Sequence, residues 1–126
     1  MNQKLIRQDT DPPASTSKWG WKYHHTGIPT QEKREGENYI PALKMFVSGF
    51  SESPYGIEWM RFESDSPIHP LVQTVAHIAF EVENLEEAIK GKNIITEPTL
   101  PSDGVRVAMI ESNGAPIELI EFQAKK

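Results

Sequence analysis

The chain has 126 residues, which suits one domain. Lys and Arg number 13 against 18 Asp and Glu, and the net charge of −5 argues against a nucleic-acid or anionic-membrane binder, since both need a basic face. Cysteine is absent, which removes disulfide frameworks, Cys-based zinc sites, iron–sulfur clusters and thiol catalysis, so a metal site has to be built from His and carboxylate.

Residues 1–18 are polar, with Asp11-Pro12-Pro13 and Ser15-Thr16-Ser17, and are expected to form a flexible arm. They carry no apolar signal-peptide core. No stretch approaches the roughly 18 apolar residues of a membrane span, so a cytoplasmic domain over residues 19–126 is expected.

Tyr23 to Pro29 reads as a first strand. Gln31 to Asn38 is charged or polar without an apolar stripe and predicts a loop or single turn. Leu43 to Phe50 and Ile57 to Phe62 form a hairpin across the turn chemistry of Ser51–Gly56. Residues 64–72 read as a proline-containing linker between a first module of about 19–63 and a second of about 73–126. Val75 to Val82 is the next strand. Asn84 caps a short helix with Glu87 three residues on, and Gly91 ends it. Ile94 to Thr96 is a short strand, Pro101–Gly104 a turn, and Val105–Ile110 and Ile117–Phe122 are strands joined through Asn113-Gly114.

The decisive feature is an internal repeat. His25-Thr-Gly-Ile superposes on His77-Ile-Ala-Phe, and Ile57-Glu58-Trp-Met-Arg-Phe62 on Ile117-Glu118-Leu-Ile-Glu-Phe122. Two modules this small have to share one core. Strand alternation places His24 on the opposite face from His25. Glu58, Met60 and Phe62 share one face, as do Glu118, Ile120 and Phe122. Ile78, Phe80 and Val82 point away from His77, toward the helix face of Leu85, Ala88 and Ile89. When the modules curl together, His25, Glu58, His77 and Glu118 project into one cavity. A lone inward glutamate costs several kcal/mol unless paired or bound to a cation. Two His and two Glu offset that cost most simply around a divalent metal: Zn, Ni, Co, Mn or Fe(II).

At these residues the chain resembles the vicinal oxygen chelate superfamily, which includes glyoxalase I, methylmalonyl-CoA epimerase, extradiol dioxygenases and the bleomycin and fosfomycin resistance proteins. The carrying motifs are His25-Thr-Gly-Ile28, His77-Ile-Ala-Phe80 with the Val82–Leu85 helix entry, and Ile117 to Glu121; together they span about Trp21 to Phe122. The resemblance implies an α+β fold of two βαβββ modules forming an open, cupped mixed sheet. Here the first module is shortened. Its helix is expected to be lost or reduced to a turn, Tyr39-Ile40 to be at most a vestigial strand, and Trp19–Trp21 to cover surface that the missing helix leaves bare.

The resemblance implies metal ligands His25, Glu58, His77 and Glu118, and metal-assisted proton transfer beside a carbonyl through an enolate, with Glu118 or Glu58 as base. A small oxygenated metabolite is then the substrate, in the manner of a lyase, isomerase or epimerase, and a homodimer is the expected assembly. Phe46, Met60, Phe62 and Ile120 are expected to wall the pocket. Two alternatives belong to the same superfamily: a small-molecule binder of the resistance-protein type, and an Fe(II) dioxygenase using His25, His77 and Glu118 with Glu58 a bystander. The remaining polar residues have ordinary readings. His24 is structural and His69 a solvated loop residue. Arg61, Glu63, Glu81 and Glu121 are exposed strand charges, and Arg106 is structural before it is a substrate anchor.

Overall fold

The computed structural model describes residues 10–123. Eight strands form one mixed sheet: β1 (Lys22–Pro29), β2 (Asn38–Ile40), β3 (Met45–Ser48), β4 (Ile57–Phe62), β5 (His77–Glu81), β6 (Asn93–Ser102), β7 (Val105–Ser112) and β8 (Ala115–Phe122). Their order across the sheet is β2-β3-β4-β1-β5-β8-β7-β6. The repeat is visible in this order. β1 runs parallel to β4, and β5 parallel to β8, each followed outward by two antiparallel strands. The modules join where β1 pairs antiparallel with β5. The sheet is the cupped α+β arrangement that the resemblance implies.

Three short α-helices accompany it among the described residues: α1 (Ala14–Ser17), α2 (Pro70–Thr74) and α3 (Leu85–Ile89). None is long and apolar enough to cross a membrane. α1 lies within the stretch read as an arm; residues 1–9 of that stretch are outside the described residues. α3 starts as predicted, with the Asn84 side chain accepting from the Glu87 N–H at 3.0 Å. Glu121 caps the same end, accepting the Leu85 N–H at 3.0 Å. The last hairpin turns through Asn113 and Gly114, both at positive φ (55° and 81°), as a two-residue turn of this hand requires.

Two apolar clusters flank the sheet. On the convex side α3 packs Leu85 and Ala88 against Val82, Ala108, Ile110 and Leu119. On the concave side Val72 of α2 packs against Met45, Met60 and Met109. α2 was not expected, since residues 64–72 read as a linker. It forms because Pro70 occupies its first turn, where no N–H is needed, and His69 caps it by accepting the Leu71 N–H at 3.0 Å. His69 is therefore a cap and not a solvated loop residue.

Other expectations are corrected by edges and by the strand junction. β6 is ten residues long where only Ile94–Thr96 was expected. It carries Pro98 and Pro101 because it is an edge strand, with repeated register shifts against β7. The five residues of α3 are too few to cover Ile78, which is 45% exposed. The first module has no helix between β1 and β2. Its outer face is covered by the loop before β2: the Arg34 guanidinium lies 4.5 Å over Trp59, and Glu37 takes a two-pronged pairing from Arg61 at 2.7 and 2.8 Å. Trp19 and Trp21 do not cover that face. Lys22 pairs with Glu81, so the chain just before β1 lands on the second module, where Trp21 meets Phe80 at 5.6 Å and Trp19 meets Trp21 at 5.0 Å.

Candidate metal centre

The four predicted ligands sit in two adjacent rows across the middle of the sheet. Glu58, Gly27 and His77 are directly opposite one another on β4, β1 and β5. His25, Ala79 and Glu118 form the next row on β1, β5 and β8. Each histidine thus faces a small residue on the neighbouring strand, and the two-fold repeat exchanges the rows. The small residues leave room for the rings to lie across the sheet.

The rings and carboxylates converge. His77 Nε2 is 2.9 Å from Glu118 Oε1, and His25 Nε2 is 3.3 Å from the same oxygen and 3.5 Å from Glu58 Oε1. The two imidazoles are 8% and 4% exposed, and Glu58 and Glu118 are 25% and 18% exposed. One ligand atom from each of His25, His77 and Glu118 lies within 4.8 Å of the others. Glu58 stands at the edge of this group, tied to it through His25.

Burial and mutual charge separate the two carboxylates. Burial opposes ionisation of Glu118, but the two imidazoles outweigh it and hold the carboxyl at about 2. Burial pushes the Glu58 carboxyl up; His25 opposes this and the charge of Glu118 adds to it. Burial works to lower the His25 imidazole, but Glu118 and Glu58 together raise it.

These residues fit a divalent cation. His25 Nε2 is buried without a hydrogen-bond partner. Buried polar nitrogens are rarely left so. The His25 nitrogen is also aimed between two carboxylates, which are the charges a cation would satisfy. Two imidazoles and a carboxylate are a common donor set for Zn, Ni, Co, Mn and Fe(II).

One predicted orientation is wrong. His24 does not face away from His25: their Nδ1 atoms are 2.7 Å apart. Tyr23 pairs with Phe80 and His25 with Ala79, so His24 is an extra residue with no partner on β5. That bulge breaks the alternation and turns both rings to the concave side. His24 stacks on Phe50 at 5.4 Å and lies 5.7 Å from Phe122.

The four predicted wall residues are dispersed. Met60 and Phe62 share the face of Glu58, but they pack in the concave core beside Val72. Ile120 is on the face of Glu118 and buried. Phe46 lies on the other face, under the Arg61 guanidinium at 4.1 Å and beside Tyr39, because Val47 is the residue opposite Met60. The open space beside the site is instead a cleft of about 250 Å³ next to Glu58, lined by Val47, Ser48, Gly49, Phe50 and Glu52 among others. A larger cavity, about 420 Å³, lies by Trp19, Trp21 and α3 and touches none of the four ligands. Arg106 pairs with Glu86 and with Glu121 at 3.2 Å, in the structural role expected of it.

No protein-family model matches the chain, and no curated protein matches it. Solved structures do. A hypothetical protein from Bacillus halodurans C-125 is similar with a TM-score of 0.61 and 23% identity, over 84% of this chain and 97% of that one. Methylmalonyl-CoA epimerase from Mycobacterium tuberculosis is similar with a TM-score of 0.55 and 17% identity, over 82% of this chain and 89% of that one. The chain shares their fold. At these identities the likeness is one of fold.

Proposed function

We propose that this protein is a metal-dependent enzyme of the glyoxalase type, moving a proton at a carbon beside a carbonyl of a small oxygenated metabolite. The observation that carries this reading is the buried His25, His77 and Glu118 cluster with Glu58 at its edge. Its setting, a sheet shared with methylmalonyl-CoA epimerase, supports it. His25, His77 and Glu118 would hold the ion, with Glu58 as a further ligand. A bound divalent ion supplies Lewis acidity to a substrate carbonyl oxygen, which makes the adjacent C–H easier to remove.

The chain's own groups divide the remaining work. Glu118 is held by both imidazoles, which keep its carboxyl well below the ordinary range, at about 2, so it is an anchor and a poor proton acceptor. Glu58 is the more exposed carboxylate, borders the cleft and has its acidity weakened by burial. Those properties suit a general base that takes a proton from the substrate carbon and returns it. Val47 and Phe50 give the cleft apolar wall beside this carboxylate.

The test is hydrogen–deuterium exchange. The protein loaded with Zn, Ni, Co or Mn is incubated in D2O with a panel of small 2-oxo and 2-hydroxycarbonyl compounds and with acyl thioesters, read by NMR. Deuterium entering the carbon beside the carbonyl, and lost in Glu58→Gln, is the expected result. Protein that binds no divalent ion on titration would overturn the reading. Ion binding without exchange on any compound would favour a small-molecule binder.

A second reading has a specific observation in its favour. Two histidines and one glutamate, without Glu58, form the compact group, and that is the donor set of non-haem Fe(II) oxygenases. Oxygen uptake by the Fe(II)-loaded protein with a catechol, unaffected by Glu58→Ala, would establish it over the first.

A further inference from the structure

The metal site assigns no work to His24, yet His24 makes the shortest contact of either ring of the pair. We infer that His24 is the positioning residue of His25: its Nδ1 accepts the Nδ1–H of His25 and so presents the His25 Nε2 lone pair to the centre of the cup. This rests on the metal reading for its purpose, though not for its geometry.

Three observations carry it. First, the Nδ1 to Nδ1 distance is 2.7 Å, so one nitrogen holds a hydrogen and the other a lone pair. Second, His25 Nε2 is buried with no hydrogen-bond partner, and the carboxylate oxygens of Glu118 and Glu58 lie 3.3 and 3.5 Å from it. A neutral ring that gives Nε2 to a cation has to carry its hydrogen on Nδ1, and His24 Nδ1 is the acceptor that hydrogen meets. Third, His24 is not free to turn. It exists on this side of the sheet because of the bulge in β1, and Phe50 stacks on it with planes 13° apart while Phe122 approaches at 5.7 Å.

The two histidine ligands are thereby held in different ways. His25 is held by a hydrogen bond from behind. His77 has its Nδ1 buried without a partner and is held by packing over Gly27 and by its Nε2 contact with Glu118 at 2.9 Å. The internal repeat supports the contrast: Ala76 stands in the second module where His24 stands in the first. The orienting imidazole is therefore an addition to one module and not a feature of both.

The experiment uses the full chain and two variants, His24→Phe and His24→Asn. Phenylalanine keeps the stack with Phe50 and removes the acceptor, while asparagine restores an acceptor oxygen. Two readouts are taken. Long-range proton–nitrogen NMR of the metal-free protein, at a pH where the His25 ring is neutral, reports which ring nitrogen holds the hydrogen. Calorimetric titration with Zn reports affinity. The expected results are Nδ1–H for His25 in the wild type and Nε2–H in His24→Phe. Zn affinity falls roughly 10- to 100-fold in His24→Phe and recovers in part in His24→Asn. An Nε2–H tautomer of His25 in the wild type would overturn the inference, as would a His24→Phe variant, folded by circular dichroism, with unchanged tautomer and affinity. Wild-type protein with the Nδ1–H tautomer that binds no Zn would leave the positioning role standing and overturn the metal reading instead.

Discussion

Gly27 and His77 face each other across β1 and β5 so closely that a Cβ on Gly27 would stand 2.2 Å from His77 Cε1 and under 3 Å from both ring nitrogens. Gly27 does not have a left-handed φ, so its role is space and not backbone freedom. The imidazole of His77 lies flat over the glycine, and the glycine decides where the ring goes. Gly27→Ala is therefore predicted to displace His77 from the cluster. Zn affinity should fall on the order of 10-fold or more, with about 1–3 kcal/mol of overpacking cost in chemical denaturation. An alanine variant with wild-type affinity would show that His77 is not a ligand.

The two carboxylates should separate under substitution. Glu118 touches both imidazoles, whereas Glu58 reaches only His25, at 3.5 Å. Glu118→Gln removes the one oxyanion common to both rings and should abolish measurable metal binding. Glu58→Gln should retain it with reduced affinity and should lose proton exchange at the substrate carbon. Calorimetry and the exchange assay, run on both variants, check this. Equal losses of binding would make both carboxylates anchors of the ion and remove the distinction between anchor and base.

The legible part of this site was the part written in residue identity and spacing. The repeat paired His25 with His77 and Glu58 with Glu118, and strand alternation put Met60 and Ile120 on the ligand face, where they are. What was missed depends on register or on packing between distant segments. Nothing local in Tyr23-His24-His25 announces a bulge; it is defined only by which residues Phe80 and Ala79 choose as partners. Phe46 and Val47 are both apolar, and only the pairing with β4 says that Val47 turns inward. α2 was hidden between prolines because the same dipeptides mark loops and helix starts, and Val72 declares itself only by burying against Met60 and Met109. Gly27 was quoted as part of a motif, but its reason is a ring supplied by the other module.

His69 offers a check on that assignment. Its Nδ1 accepts the Leu71 N–H at 3.0 Å, and it lies outside the metal cluster. His69→Ala leaves that N–H without its side-chain acceptor and should cost about 1 kcal/mol in urea unfolding. Metal affinity should not change. A variant of unaltered stability and lowered Zn affinity would instead draw His69 into the site.

The response to pH should distinguish the metal-free from the loaded protein. His25 faces Glu58, Glu118, His24 and His77, and its imidazole is raised above the ordinary 6.5, with burial opposing and the two carboxylates prevailing. A raised imidazole contributes stability that is complete below 6.5 and is lost as pH rises through the folded value. Glu58, raised above 4.5 by burial, acts in the same direction. Glu118, lowered to about 2, contributes stability present above its ordinary 4.5 and lost as pH falls toward 2. From Glu118 and His25 the metal-free protein should be most stable between roughly pH 4.5 and 6.5 and weaken above it, with the Glu58 contribution already falling within that window. A divalent ion replaces the proton on His25, so its binding strengthens over the same range in which the proton leaves. The rise in melting temperature on adding Zn should therefore grow from pH 5.5 to 8. Differential scanning at fixed free Zn measures this directly, and a shift that shrinks as pH rises would remove His25 from the ligand set.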